Sequence, residues 1–425
     1  MAGGNELCRS EWPQSGGLLV PNMYMATDAA GNSYVAVNFV DNRPLSDDAG
    51  PPPQLNFGMP PSQVLDGFAV AKFDDACNLV WVREFGPASA PYSYGAQTVR
   101  IATDAASNVT ILGDFFGSVD FGKGMLTAGP EIDNGFLLRL DSTGKTVFST
   151  QFVNTRSGTS IMESDLAVTR AGVSTIAVYA DSDTDFGNGQ DSVSLLLGVK
   201  SSNDLVQFDA SGKVLFRKTV PSINSSLSAI YGLATNASGF LWGAAVGTSL
   251  FSPSVMNYPK LTVGITASGA SAWQQTVTED PLIAAGPSGA VTFSFPGSSS
   301  TETLQGLASD GSTQWTVSTP IPSGMPQRGL LVVDSSGNPL ILDLFRGTIA
   351  FGSAPTLTSA GGNDLVYQTF DATGHLRSTG AWGGSDDDDY GGVGVDPAGN
   401  ILIAGNTTPL TGATTSRVFF VKLAR

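Results

Sequence analysis

Apolar and polar positions alternate in short runs along this chain, and the runs come in pairs joined by one recurrent phrase. An apolar run ends in Thr-Asp or Val-Asp, two small residues follow, then Gly and usually Asn, and a second apolar run begins. The phrase reads ATDAAGNSYVAV at 26–37, ATDAASNVTIL at 102–112, ATNASGFLW at 234–242, AAGPSGAVTF at 284–293, VVDSSGNPLIL at 332–342 and VDPAGNILIAG at 395–405. A worn copy, AVTRAGVSTIAV at 167–178, makes seven. Period-two alternation on both sides of a turn predicts a β-hairpin at each copy. A hairpin cannot bury its apolar face alone. Seven copies spaced by about 50–75 residues therefore predict blades stacked around a ring.

A second turn signal follows each first one. It reads KFDDACNLVWVREFG at 72–86, RLDSTGKTVFSTQF at 139–152, QFDASGKVLFRKTV at 207–220 and TFDATGHLRSTGAW at 369–382, with looser copies at 264–277 and 306–319. Asp at the first turn position and Gly at the fourth suit a type I turn that ends in a left-handed residue. Each blade thus acquires four strands, A to D, with tight A–B and C–D turns. An aromatic stands four residues after the second Gly: Phe148, Phe216, Trp273 and Trp315, with Trp81 four after Cys77 in blade one. Its fixed place in the outer strand points to packing between blades. The last blade stops after a C strand ending near Leu423, while Cys8 and Trp12 near the N-terminus repeat the Cys77–Trp81 spacing. The N-terminal segment, roughly residues 6–13, is expected to supply the missing D strand and close the ring, which removes exposed sheet edges.

The expected fold is all-β: a single seven-bladed propeller of four-stranded antiparallel blades over 1–425. Residues 1–16 serve the last blade, and the blades run approximately 20–86, 97–152, 161–220, 228–277, 280–319, 328–382 and 391–425. Composition agrees. Of 425 residues, 51 are Gly and 24 Pro, and only 14% are charged, fewer than the outer faces of a helical protein would carry. The net charge of −16 and the pI near 4.3 leave no basic stripe for nucleic acid. An acidic surface suits solubility, cations or a basic partner. No apolar stretch approaches the ~20 residues of a membrane-spanning helix. The N-terminus shows no signal peptide, so an exported chain would have lost its leader.

The repeat resembles the SBBP-type seven-bladed β-propeller repeat of bacterial surface and secreted proteins. The likeness rests on D-x-A-G-N followed by alternating apolar residues, on Asp-Phe-Gly elements, and on LTSAGGNDLVYQTFDATG at 357–374. It covers nearly the whole chain, well in blades one, two, six and seven. It implies export and an extracellular or cell-surface location, and supplies no catalytic residue.

Candidate chemistry concentrates in the long B–C and D–A connections, which should share one face. Tyr92, Tyr94 and Tyr390 lie in D–A connections and are candidates for stacking on a sugar or anchoring a protein. The acidic runs Asp386, Asp387, Asp388, Asp389 and Asp181, Asp183 are candidate Ca²⁺ ligands, since hard carboxylate oxygens suit that ion. Against them stands a solvated loop. The second run is no EF-hand, because Phe186 occupies the required Gly position and Ser192 the position of the closing Glu. His375, the only histidine, falls in a C–D turn, which argues against His-dependent metal sites and Ser-His-Asp catalysis. Cys8 and Cys77 are expected to be free thiols, because equivalent peripheral points of neighbouring blades diverge beyond the ~7 Å a bridge tolerates. A Cys in place of Gly also implies a turn that avoids the left-handed conformation.

The expected function is therefore a non-catalytic binding or scaffold module that recognises an extracellular glycan or protein through its long-loop face. A glycan hydrolase or lyase using two carboxylates is the first alternative. A purely structural envelope component is the second.

Overall fold

The computed structural model describes residues 5–13, 18–20, 22–41, 67–87, 95–128, 133–153, 161–181, 184–187, 201–220, 227–247, 260–277, 281–287, 289–294, 301–321, 329–410 and 416–425. They form seven antiparallel blades and no α-helix. The four strands run Met23–Thr27, Ser33–Asp41, Gly67–Phe73 and Leu79–Phe85 in blade one, with a two-residue strand Leu18–Leu19 added beside the end of Ser33–Asp41. Blade two comprises Ala96–Thr103, Val109–Phe115, Asn134–Leu140 and Thr146–Gln151, and blade three Met162–Val168, Ser174–Asp181, Ser201–Phe208 and Val214–Thr219. Blade four has Leu227–Thr235, Leu241–Gly247, Lys260–Ile265 and Ser271–Val277; blade five has Pro281–Ala285, Gly289–Ser294, Thr301–Ala308 and Thr313–Pro320. Blade six is built from Leu330–Val333, Pro339–Phe345, Asp364–Phe370 and Leu376–Trp382. Blade seven takes Asp387–Val395, Ile401–Thr408 and Arg417–Leu423 from the end of the chain and Glu6–Pro13 from its beginning. The A strand of each blade touches those of both neighbours, and blade seven returns to blade one.

The recurrent phrase is explained by its hydrogen bonds. In blade one, Asp28 Oδ1 accepts from the backbone N–H groups of Ala30 and Asn32, both at 2.9 Å, and the Asn32 amide returns to Oδ2 at 2.7 Å. Asp334 and Asn338 repeat this arrangement in blade six, and Asp74 and Asn78 repeat it in the second turn of blade one. The Asp-to-Asn spacing of four is thus a self-satisfying Asx turn. The intervening residue must be left-handed, as Gly31 is at φ +87°.

Beneath the turns the blades pack by their aromatics. The glycine of each C–D turn sits against the outer-strand aromatic of the preceding blade: Gly144 on Trp81, Gly212 on Phe148, Gly269 on Phe216, Gly311 on Trp273 and Gly374 on Trp315. A Cβ on Gly144 would approach Trp81 to 2.9 Å, and the indole N–H of Trp81 donates to the Ser142 carbonyl at 3.1 Å. The series is structural, as its periodicity predicted.

This lean of each turn over the preceding blade overturns the expectation for the cysteines. At the seam between blades seven and one, the turn residue is Cys77 and the outer strand beneath it carries Cys8. Their Cα atoms are 6.1 Å apart and a disulfide joins them. The divergence argument compared equivalent points of two blades, whereas the contact is between a turn and its neighbour's outer strand. Cys77 also adopts φ +62°, so the turn keeps the left-handed conformation that Gly fills elsewhere. The predicted closure itself is observed: Glu6–Pro13 pairs with Arg417–Leu423, with Trp12 opposite Val418. Trp12 and Phe73 rings lie 5.3 Å apart and Phe73 stacks on Phe420 at 4.6 Å, so the seam is a continuous core.

Candidate functional site

Strand direction sorts the carboxylates into two populations. A strands start, B strands end and C strands start at the long-connection face, while the A–B and C–D turns occupy the other. On the turn face, Asp28, Asp74, Asp141, Asp209, Asp334, Asp371 and Asp396 are all held below the usual carboxylate range. Burial opposes this in all of them, and hydrogen bonds received from the turn, joined by Lys422 at Asp396 and Arg425 at Asp334, outweigh it. These carboxylates are committed to their own turns, and Asp396 and Asp334 also to Lys422 and Arg425. His375 belongs here too, exposed, with Nδ1 2.8 Å from Thr373 Oγ1.

Toward the long-connection face the shifts reverse. Burial pushes Asp114 and Asp364 up to about 6 and Asp343 up to about 8, and it also raises Glu302, Asp388 and Asp389. Near the axis, Arg100 of blade two pairs with Asp165 of blade three at 2.8 Å and lies over the Tyr24 ring of blade one, 5.6 Å from its centroid. Asp165 Oδ2 then accepts from the Leu233 N–H of blade four at 2.7 Å. One ion pair so links the inner strands of four blades. Burial raises the Tyr24 phenol against the opposing charge of Arg100, and the nearby Asp114 carboxylate adds to the rise.

The acidic run expected in a loop is largely strand. Asp387, Asp388, Asp389 and Tyr390 open the A strand of blade seven and pair with Thr408, Thr407, Asn406 and Gly405. Gly391 and Gly392, directly behind them, are pressed against Met23 and Met25 of blade one, so the backbone must lie flat against its neighbour. Side chains of a strand alternate, and the carboxylates disperse accordingly. Asp387 Oδ1 accepts from the Asn363 N–H at 2.7 Å, while Asp388 is buried and accepts from Thr407 Oγ1 and the Gly384 N–H, both at 2.7 Å. Asp389 Oδ1 accepts from the Tyr390 N–H at 2.8 Å. Tyr390 is half-buried against the core between blades six and seven and is no loop residue. Asp386 is half-buried just ahead of the strand. Asp181 closes the B strand of blade three opposite Ser201, whereas Asp183, Tyr92 and Tyr94 fall outside the described residues. Phe121 and Phe186 of the Asp-Phe-Gly elements are buried between blades and Phe351 is buried within blade six, which makes those elements part of the repeat. Among the described residues no three of His, Cys, Asp and Glu are grouped as metal ligands.

Sequence reasoning missed the Arg100 system and a buried polar set between blades five and six: Glu302, Asp343 and Gln368, each 1% exposed. Asp343 did leave a signal. Counting from the residue that closes the A–B ladder, Val37, Gly113, Val178, Ala245 and Gly405 hold its place in other blades. An Asp there interrupts an apolar run.

No protein-family model matches the chain, and no curated protein matches it in sequence. Among solved structures it is similar to the β-propeller domain of the trilobed protease from Pyrococcus furiosus, with 9% identity, 95% of this chain and 94% of that one covered, and a TM-score of 0.44. A protein of unknown function from Dyadobacter fermentans gives 9%, 100% of both chains and 0.43. An oligogalacturonate lyase in complex with manganese gives 10%, 100% and 99%, and 0.42. Likenesses this distant carry no argument about chemistry. The ladders and the seven contacting inner strands establish by themselves what the chain is: a seven-bladed β-propeller closed by its N-terminal strand.

Proposed function

We propose that the chain is a secreted or cell-surface binding scaffold of the SBBP-type repeat class, without catalytic activity, that receives a glycan or protein on its long-connection face. The observation that carries this reading is the division of labour between the faces. The turn face spends its carboxylates on its own turns, and the connections long enough to vary lie opposite. Binding residues concentrate on such connections when a rigid scaffold holds them. The Cys8–Cys77 disulfide suits an oxidising compartment. A glycan array read beside a cleavage screen of its hits tests the proposal. Binding without turnover, lost in a Tyr92→Ala/Tyr94→Ala variant, is expected; turnover of a bound glycan overturns it, and silence on the array favours a structural envelope role.

One observation favours the hydrolase or lyase alternative. Asp114, pushed up to about 6 beside Tyr24, titrates where a general acid must. Turnover abolished by Asp114→Asn would establish that reading.

A further inference from the structure

Glu302 lies at the start of the C strand of blade five, and Asp343 and Gln368 stand on the B and C strands of blade six. Gln368 Nε2 crosses the interface to donate to Glu302 Oε1 at 3.1 Å, and Thr319 Oγ1 donates to the same oxygen at 3.0 Å. Asp343 Oδ1 accepts from the Leu344 N–H at 2.7 Å. The second oxygens, Glu302 Oε2, Asp343 Oδ2 and Gln368 Oε1, meet no donor among the described residues. Gln368 pairs with Ile341 and Asp343 with Val366, so Asp343 and Gln368 are diagonal neighbours on one face of blade six. That face meets blade five, since Ile341 packs with Val291, Phe293 and Leu304.

Three other buried carboxylates in this propeller are matched by a cation. Arg139 pairs with Asp104, Arg217 with Asp204 at 2.6 Å, and Lys422 with Asp396 at 2.8 Å. Among the described residues no ion pair reaches Glu302 or Asp343, although burying a charge is costly unless it is neutralised. A single proton does not resolve the set. Placed on Asp343 Oδ2 it creates one donor, which serves one of the two remaining oxygens and leaves the other unmatched. A cation serves all three oxygens and offsets both charges at once.

We propose that Glu302 Oε2, Asp343 Oδ2 and Gln368 Oε1 are ligands of one hard divalent cation of the calcium class, held between blades five and six. Oxygen donors of mixed type suit that ion, which tolerates irregular geometry and completes its shell with water. The site joins blade five, whose turn phrases are worn, to blade six, and it is separate from the acidic strand of blade seven.

The test uses the full chain stripped with chelator and titrated with CaCl₂, with MgCl₂ and ionic-strength-matched NaCl as controls. Calorimetry should find one site, and calcium at about 100 times its Kd should raise Tm by about 3 °C. Asp343→Asn and Glu302→Gln should each abolish this shift, while Asp386→Asn keeps it. The proposal is overturned if NaCl reproduces the shift, if both blade five–six variants retain it, or if calcium has no effect on the wild-type chain.

Discussion

Breaking the disulfide should loosen the ring at its seam. Cys8 and Cys77 are 69 residues apart, and in the chain-entropy account a cross-link over ~70 residues stabilises by about 4 kcal/mol. At about 2.1 cal/mol/K per residue, unfolding 425 residues as one unit carries about 0.9 kcal/mol/K of entropy. Cys8→Ser/Cys77→Ser should therefore melt about 5 °C below the oxidised protein, and dithiothreitol should lower the wild-type melt to the same point. Cys77→Gly provides the internal control. It loses the bridge but fits the φ of +62° without steric cost, recovering about 1 kcal/mol, or about 1 °C, relative to Cys77→Ser. Scanning calorimetry of the three variants, with thiol titration of the denatured chains, reads all of this. A serine variant melting within a degree of the oxidised wild type would refute the reasoning, as would two titratable thiols in unreduced wild-type protein.

Truncation of residues 1–16 removes the whole outer strand of blade seven and bares the edge of Arg417–Leu423, so aggregation by light scattering should follow at temperatures the full chain survives. Trp81→Ala should cost about 3–5 kcal/mol in urea unfolding, because it empties the space beneath Gly144 and removes one of the two donors to the Ser142 carbonyl, leaving only Lys72 Nζ. Asp114 has a raised carboxyl, so between the ordinary carboxylate pKa and about 6 the native state holds a proton that the unfolded state has released. Its contribution is present at low pH and is lost as pH rises through about 6, at up to about 1.4 kcal/mol per pH unit; Asp114→Asn should flatten that limb of a pH series of urea melts. The turn aspartates act oppositely: their lowered carboxyls stabilise above the ordinary pKa, and this is lost as pH falls, so Asp28→Ala should weaken the protein at pH 7 more than at pH 3.

The repeat, the turns and the closure were legible in the sequence because their causes are local or periodic. Asp28 to Asn32 is a hydrogen-bonded unit within five residues, and an aromatic four residues after a turn returns to the same radius in successive blades. Even the missing strand could be read, since Cys8–Trp12 keeps the spacing of Cys77–Trp81. What the tertiary structure decided was how each blade leans on the next. That lean brought Cys77 over Cys8, set Arg100 against Asp165 and Tyr24, and closed Glu302, Asp343 and Gln368 into one buried interface. It also turned the acidic run from a loop into a strand, because two glycines admit the backbone of blade one. Contacts of this kind join residues about 60 or more positions apart through the angle between two sheets, and no pattern within a single repeat encodes that angle.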